Sequence, residues 1–121
     1  MKTLKRKIGD IGEDTVVKYL KKHKYKILQR NYETNYGEID IIAKNKDYLW
    51  CIEVKTRAED SLFSPLSAIT KKKIDCIIKS AYVYLSKNNC SEIMPRFDVA
   101  EVTYDKDNKF NVNYIENAFE V

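Results

Sequence analysis

Two apolar runs near the middle of the chain are separated by a short polar segment. The runs cover residues 37–43 and 48–55, and Lys44-Asn45-Lys46-Asp47 lies between them. Both runs contain β-branched residues, which favour strands. The pattern predicts a β-hairpin whose loop is the polar segment. A four-residue loop sets the pairing between the two strands: Ala43 with Tyr48, Asp40 with Cys51, and Glu38 with Glu53.

Acidic residues interrupt both apolar runs. Side chains alternate between the two faces of a strand. Four charged residues are therefore predicted to share one face: Glu38, Asp40, Glu53 and Lys55. A loop one residue longer or shorter would turn Asp40 to the other face. Ionised carboxylates destabilise one another at close range, so we expect a divalent metal ion, the Lys55 ammonium, or both to lie between them.

The predicted hairpin is apolar on its other face and on part of the acidic face. Five apolar residues are assigned to the other face: Ile39, Ile41, Trp50, Ile52 and Val54. Ile42, Leu49 and Cys51 accompany the acids. A sheet that is apolar on both faces must be covered on both sides, so we expect helices above and below it.

Apolar residues at three- and four-residue spacing predict two helices. The first is expected to begin with Asp10 as its N-cap and Glu13 in the capping-box position, and to continue to about His23. Thr70 is the predicted N-cap of the second helix, whose apolar face spans residues 74–85.

Three more strands are expected from their composition and alternation, over residues 25–30, 96–103 and 110–115. The segments between elements are predicted to be irregular. They are a connection over residues 31–36, a polar loop over residues 56–61, a helical turn starting at Ser64-Pro65, and a turn over residues 105–108.

The composition is that of a folded protein, with 44% hydrophobic residues in a chain of 121. That length suits a single domain, residues 1–121, and residues 1–8 are expected to form a mobile basic arm. Charge is unevenly placed, because residues 1–36 carry ten Lys or Arg against four acids, while residues 37–121 carry twelve against fourteen. A polyanion held near a metal site would explain this distribution, and so would a solvated surface.

Several classes of protein are disfavoured by the sequence. It contains no run of 18 apolar residues, so we expect neither a membrane-spanning segment nor a membrane partner. Cys51, Cys76 and Cys90 are widely spaced and are expected to be reduced thiols of a cytoplasmic protein. His23 is the single histidine, which disfavours both a Cys and His zinc site and a histidine-dependent catalytic triad.

Asp40, twelve intervening residues and then Glu53-Val54-Lys55 fit the PD-(D/E)xK nuclease pattern. Two carboxylates on adjacent strands can hold a hard cation such as Mg²⁺ or Mn²⁺ through oxygen ligands. The metal polarises a scissile phosphate, and Lys55 on the same face can orient or deprotonate the attacking water. Ile39 stands where the pattern usually has proline, and the pattern by itself is short enough to recur by chance.

Motifs along nearly the whole chain resemble those of the YraN-like family, bacterial proteins with a restriction-endonuclease-like fold. The residues that carry the resemblance are Gly9-x-x-Gly12-Glu13, Gly37 to Ala43, Glu53 to Arg57, Lys73, Arg96-Phe97-Asp98-Val99 and Asn117-Ala118-Phe119. The resemblance implies an α/β protein with three α/β/α layers, in which a mixed central sheet has a helix on each face.

The hairpin and the first helix are also similar to archaeal Holliday-junction resolvases. In those enzymes a helix glutamate, a strand aspartate and an ExK motif complete the site. The similarity implies four catalytic residues here: Glu13, Asp40, Glu53 and Lys55. Asp40 and Glu53 would bind the metal, with Glu13 and Glu38 as further candidate ligands. The capping-box position remains a second explanation for Glu13.

Basic residues around these motifs are the candidate contacts for nucleic-acid phosphates. They are Lys5, Arg6 and Lys7 of the expected arm, Arg57 of the polar loop, and Lys71, Lys72 and Lys73 at the start of the second helix. The start of a helix readily binds anions, although Lys71 and Lys72 also suit an exposed charged turn.

Together these features favour a DNA endonuclease that requires Mg²⁺ or Mn²⁺ and acts on branched or damaged DNA. A nucleic-acid-binding protein that uses the same fold without catalysis is the alternative. A protein-interaction subunit with structural acids is a third hypothesis. An enzyme that cuts junctions would need two sites, so a homodimer is a further expectation.

Overall fold

Seven regular elements account for most of the residues that the computed structural model describes, which are 2–61, 69–90 and 92–118. In chain order the elements are α1 Leu4–Lys22, β1 Lys26–Thr34, β2 Gly37–Asn45, β3 Tyr48–Ala58, α2 Lys71–Lys87, β4 Met94–Tyr104 and β5 Phe110–Ile115. The helical turn expected at Ser64-Pro65 and the Phe119 of the last motif lie outside the described residues. None of the described helices is long and apolar enough to cross a membrane.

The strands form a mixed sheet in the order β1-β2-β3-β4-β5. Neighbouring strands are antiparallel except β3 and β4, which run parallel from Tyr48 beside Met94 to Ala58 beside Tyr104. Parallel neighbours need a crossover connection, and the chain makes it through α2, which lies between β3 and β4 in sequence.

The two helices cover opposite faces of the sheet. Along β3, Cys51 packs in a cluster with Ile77 of α2, whereas Ile52 packs in a cluster with Val16 of α1. Successive side chains of a strand point to opposite faces, so the two clusters lie on either side of the sheet. The predicted α/β fold, with a mixed sheet and a helix on each face, is confirmed.

Helix α1 begins earlier than expected. Its N-cap is Thr3, whose hydroxyl accepts a hydrogen bond from the Arg6 N–H at 3.1 Å. Asp10 is not an N-cap but lies within the helix, where its carboxylate is 2.7 Å from Lys2 Nζ and 3.6 Å from Arg6 Nε. Threonine is a good N-cap, and an Arg and Asp pair four residues apart stabilises a helix. The expected mobile arm over residues 1–8 is therefore wrong from residue 4 onward.

The hairpin between β2 and β3 has a two-residue loop instead of the expected four-residue loop. Asn45 pairs with Tyr48, and Cys51 pairs with Ile42 rather than with Asp40. Two-residue turns match the twist of paired strands, which explains why Asn45 joins the strand. The predicted pairs are displaced by two residues, an even number, so the error does not by itself turn side chains to the other face.

Some strands extend beyond their predicted ends. β1 continues to Thr34, so that only residues 35 and 36 connect it to β2, and β3 continues to Ala58 through part of the expected polar loop. Both extensions are paired, Thr34 with Gly37 and Ala58 with Tyr104. Pairing satisfies the backbone hydrogen-bonding groups of these polar segments. The Thr70 N-cap of α2 and the limits of β5 agree with the sequence prediction.

Candidate active site

Strands β2 and β3 separate at Asp40. The pairing between them ends with Ile41 opposite Ile52. Asp40 precedes Ile41 in β2, and its Oδ2 atom accepts a hydrogen bond from the Val54 N–H at 2.8 Å. The Asp40 side chain thus takes the place of a backbone acceptor for Val54. The expectation that Ile39 shares a face with Ile41 is wrong, because Ile39 packs in the cluster on the α2 side of the sheet. This local departure from alternation leaves the Asp40 carboxylate at the opening between the strands.

Glu53 and Lys55 lie on the β3 side of this opening. Glu53 is 6% exposed, and its Oε1 atom lies 2.7 Å from Lys73 Nζ of α2 and 3.3 Å from Lys55 Nζ. A buried carboxylate without a partner would strongly destabilise the fold. Two ammonium groups therefore compensate the Glu53 charge, and one of them comes from α2.

The charged groups at the opening shift one another's pKa. Burial, followed by the negative charge of Glu53, raises the pKa of Asp40 to about 7, against the opposing effect of the hydrogen bond from Val54. Burial and the neighbouring Lys73 lower the pKa of Lys55. The pKa of the Asp40 carboxyl is raised and the pKa of the Lys55 amine is lowered, so both are shifted in the direction of pH 7. Groups shifted in this way are suited to holding or transferring a proton near that pH.

Glu13 lies on α1 and is almost fully buried. Its Oε1 atom accepts hydrogen bonds from Arg30 Nε at 2.9 Å and from Asn31 Nδ2 at 3.3 Å. Because α1 begins at Leu4, Glu13 lies well beyond the first turn, and the capping-box explanation for it is wrong. Neither Arg30 nor Asn31 could be recognised as its partner from the sequence, since contacts 17 and 18 residues apart leave no local pattern.

Gly12 allows α1 to approach β3 closely. A Cβ atom at this position would overlap the Thr56 side chain, whereas a Cβ atom at Gly9 would meet no atom within 4 Å. The close approach holds Glu13, the next residue, beside the separation of β2 and β3. The two adjacent motif residues therefore have different roles: Gly12 allows α1 to pack closely on β3, and this packing positions the Glu13 carboxylate.

Two clefts meet at Asp40. The α1 cleft has a volume of about 780 Å³, and its lining includes Thr3, Lys5, Arg6, Glu13, Glu38, Asp40 and Lys55. The α2 cleft has a volume of about 370 Å³, and its lining includes Tyr36, Glu38, Asp40, Glu53, Lys72 and Lys73. Glu38 and Asp40 line both clefts. Glu38 is exposed on the whole, but partial burial and the negative charge of Glu33 raise the pKa of its carboxyl.

Most of the basic residues predicted to contact phosphate lie at or near these clefts. Lys5 and Arg6 line the α1 cleft, and Lys72 and Lys73 line the α2 cleft. Lys7 and Lys71 are exposed on the two helices and line neither cleft. The first turns of both helices therefore present positive charge toward the opening at Asp40.

Arg57 is placed differently from the other predicted phosphate contacts. It belongs to β3 rather than to a loop, so the expected loop position is wrong. Its guanidinium is bound within the protein, with Nη2 2.6 Å from Glu101 Oε1 and Nη1 3.1 Å from the Ser61 carbonyl oxygen. The structure does not bring Arg57 to either cleft lining among the described residues.

The acids at the opening fit a hard divalent cation with few protein ligands. Within residues 2–61, 69–90 and 92–118, no group of three or more His, Cys, Asp or Glu side chains is arranged to hold a metal ion. Mg²⁺, however, commonly uses one or two carboxylates together with waters and substrate phosphates. Asp40 and Glu53 supply such oxygens, and a cation would relieve the repulsion that raises the Asp40 pKa. Two donors already bind one oxygen of Glu13 and one oxygen of Glu53, so a cation would take the second oxygen of each carboxylate or displace a donor.

Asp98 is fully buried but lines neither cleft. Its carboxyl accepts hydrogen bonds from the Tyr114 hydroxyl and, at 2.8 Å, from the Asn117 N–H. Burial raises the pKa of Asp98. The motif that contains Asp98 therefore joins β4 to β5 and to the segment after it, which is a structural role apart from the candidate site.

Comparison with known proteins identifies close similarity to one family. The model of "Uncharacterised protein family UPF0102" matches residues 12–102. A UPF0102 protein of Clostridium acetobutylicum is 41% identical over 122 residues, which cover all of both chains. A UPF0102 protein of Caldanaerobacter subterraneus is 38% identical over 98% of each chain, and one of Clostridium botulinum is 43% identical over 94% of each chain.

Proposed function

The chain belongs to the uncharacterised protein family UPF0102, and we propose that it is a metal-dependent endonuclease that hydrolyses phosphodiester bonds in DNA. Membership of this family agrees with the resemblance to the YraN-like family. The observation that carries the proposal is the convergence of Asp40, Glu53 and Lys55 where β2 and β3 separate. Two acids can hold a metal ion and a lysine beside them can act on the attacking water, so this arrangement can support metal-assisted hydrolysis of a phosphodiester.

Asp40 and Glu53 would hold Mg²⁺ or Mn²⁺, which supplies a Lewis acid for the scissile phosphate and lowers the pKa of a bound water. The lowered pKa of Lys55 would allow this side chain to orient the attacking water and to accept its proton. Lys73, 2.7 Å from Glu53, would stabilise the negative charge that develops on the phosphate oxygens.

The positive helix starts support DNA as the substrate. Lys5 and Arg6 line the α1 cleft and Lys72 lines the α2 cleft, and these residues would contact phosphates on either side of the scissile bond. Such contacts carry no sequence information, so recognition would depend on the structure of the DNA. Cutting both strands of a branch would need two active sites, which a homodimer would supply.

A nucleic-acid-binding protein without catalysis is the second candidate function. It is favoured by the two ammonium groups that already neutralise Glu53, since a metal ion would compete with Lys73 and Lys55 for this carboxylate. In this alternative the acids and lysines form a structural ion-pair network, and the basic helix starts bind phosphate without cleavage.

Cleavage of labelled duplex, flap and four-way-junction DNA in Mn²⁺ or Mg²⁺ distinguishes the two functions. Wild type is expected to cut, whereas the Asp40→Ala and Lys55→Ala variants are expected to fold, bind DNA and lose cleavage by about a hundredfold or more. Unchanged cleavage in both variants would remove these residues from the mechanism. Binding on a gel without cleavage by wild type would favour the second function.

A further inference from the structure

A third cleft lies along the outer face of α2 and is not part of the candidate active site. Its volume is about 520 Å³, and we call it the α2 groove. It is lined by Tyr36, Ile78, Lys79, Tyr82, Val83, Ser86 and Lys87. Tyr36 is 50% exposed and Tyr82 is 46% exposed, which places two large aromatic rings in solvent on one surface.

The α2 groove combines aromatic rings with positive charge. Lys79 Nζ lies 5.5 Å from the centroid of the Tyr36 ring, and Lys87 also lines the groove. Its described lining contains no acidic residue. Exposed aromatic rings on which bases stack, with lysines beside them for the phosphates, are the features that bind single-stranded nucleic acid.

The α2 groove adjoins the candidate active site at Tyr36. Tyr36 lines both the α2 groove and the α2 cleft, and the α2 cleft contains Asp40 and Glu53. The path along α2 from Lys73 to Lys87 is about 21 Å long at 1.5 Å per residue. A strand that leaves the two acids past Tyr36 would therefore enter the α2 groove.

We propose that the α2 groove binds an unpaired DNA strand that continues from the candidate active site. This inference rests on the proposed function and narrows its substrates to DNA with a single-stranded branch or end. The strand must be unpaired because the bases of a duplex are stacked inside it, where tyrosine rings on a protein surface cannot reach their faces. The lysines add an attraction to phosphate that weakens as salt is raised.

Binding without metal tests the groove independently of cleavage. The probe is a fluorescein-labelled 15-nucleotide oligothymidine in EDTA and low salt, and the readout is fluorescence anisotropy. Tyr82→Ala is expected to weaken binding at least about fivefold, as loss of one stacked base implies, whereas Tyr82→Phe keeps the ring and should bind nearly as wild type does. Unchanged affinity in Tyr82→Ala, or no binding by wild type, would overturn the proposal.

A matched pair of double variants separates the groove from general positive charge. Lys79→Gln with Lys87→Gln alters the groove, and Lys106→Gln with Lys109→Gln removes the same charge from exposed positions outside it. The groove pair is expected to lose about tenfold in affinity for the oligothymidine, and the control pair less than about threefold. Equal losses in the two pairs would contradict a specific site.

Cleavage of a blunt duplex and of the same duplex with a single-stranded end separates this inference from the proposed function. We expect faster cleavage of the tailed duplex and loss of that preference in Tyr82→Ala. If wild type never cuts but the groove variants still lose affinity for the oligothymidine, the endonuclease proposal fails and the groove stands. If wild type and Tyr82→Ala cut both duplexes equally, the groove proposal fails alone.

Sedimentation tests whether the groove instead binds a second copy of the chain. A Tyr82→Ala variant that changes from dimer to monomer and keeps its affinity for the oligothymidine would reassign the groove to a second copy.

Discussion

At the scale of single residues, Asp40 has the largest pKa shift at the candidate site. Burial and the charge of Glu53 raise its pKa from 3.8 to about 7. The carboxyl thus binds a proton more tightly in the folded chain than in the unfolded chain. The contribution of Asp40 to the free energy of unfolding therefore decreases as the pH rises from about 4 to about 7 and is constant above that range.

Replacing Asp40 by asparagine should remove this pH dependence. Asparagine keeps an oxygen that can accept the Val54 N–H but carries no charge. With a chelator present, we expect the free energy of unfolding of Asp40→Asn at pH 8 to be higher than that of wild type by on the order of 2 kcal/mol, after allowance for partial exposure. At pH 4 we expect the two proteins to have the same free energy of unfolding. Urea unfolding at the two pH values measures the difference, and a more stable wild type at pH 8 would contradict the raised pKa.

A divalent cation should reverse the destabilisation at Asp40. Binding to the folded state alone adds roughly 2.7 kcal/mol when Mn²⁺ is present at about a hundred times its dissociation constant. The melting temperature of wild type should therefore rise with Mn²⁺, and that of Asp40→Asn much less. Asp47→Asn changes an exposed acid of the hairpin loop and should respond as wild type does. Equal responses of all three proteins would locate the metal elsewhere.

The grouping of the acids could be predicted from the sequence, but their partners could not. Asp40, Glu53 and Lys55 belong to one hairpin, so their proximity could be predicted even though the predicted register was wrong by two residues. The departure from alternation at Asp40 could not be predicted, because it depends on where β2 and β3 separate. Lys73 reaches Glu53 from α2, and Arg30 reaches Glu13 from β1. Such contacts depend on how helices pack on the sheet, which local spacing does not record.

At the scale of elements, the contact between α1 and β3 depends on the absence of a side chain at Gly12. Alanine in a helix interior is normally more stable than glycine by about 0.5–1 kcal/mol, which is the gain expected for Gly9→Ala. Gly12→Ala should instead destabilise the protein by about 1–3 kcal/mol, because its methyl group would overlap Thr56. Guanidinium unfolding of the two variants measures the contrast.

The Thr56→Ala substitution provides the control for this contact. In the Gly12→Ala background it removes the hydroxyl that the new methyl group would meet, and part of the lost stability should return. If Gly12→Ala were as stable as Gly9→Ala, α1 would not lie against β3 as described.

The types of the elements were more predictable than their ends. Hydrophobic period distinguishes helices from strands, and the two apolar faces of the hairpin predicted a helix on each side. The ends depend on partners, since β1 and β3 continue through polar residues because β2 and β4 pair with them. A polar segment that pairs in a sheet has the same composition as a loop, so its sequence does not reveal the strand.

At the scale of the whole molecule, Asp98 connects the far edge of the sheet to the carboxyl-terminal segment. Asp98→Ala would remove the acceptor that the Tyr114 hydroxyl and the Asn117 N–H share. We expect a loss of about 3 kcal/mol in the free energy of unfolding, and a smaller loss of about 1 kcal/mol for Tyr114→Phe, which removes one hydrogen bond. Urea unfolding monitored by Trp50 fluorescence measures both, and a neutral Asp98→Ala variant would contradict this role.

The positions of the clefts connect the fold to the proposed chemistry. α1 and α2 lie on opposite faces of the sheet, and each presents basic residues beside a cleft that ends at Asp40. A DNA strand that follows both clefts would therefore bring a phosphate to the opening between β2 and β3. This arrangement makes cleavage at Asp40 and Glu53 a specific expectation, distinct from binding to a basic surface.

The rate of DNA cleavage as a function of Mn²⁺ concentration decides whether these acids form an active site. The substrate is a fluorescein-labelled flap DNA, incubated with excess wild type, Asp40→Asn or Asp47→Asn. We predict a rate that rises and saturates with Mn²⁺ for wild type and Asp47→Asn, and that remains at least about a hundredfold lower for Asp40→Asn at every concentration. Cleavage that is independent of metal, or equal in all three proteins, would contradict a metal-dependent site at Asp40 and Glu53.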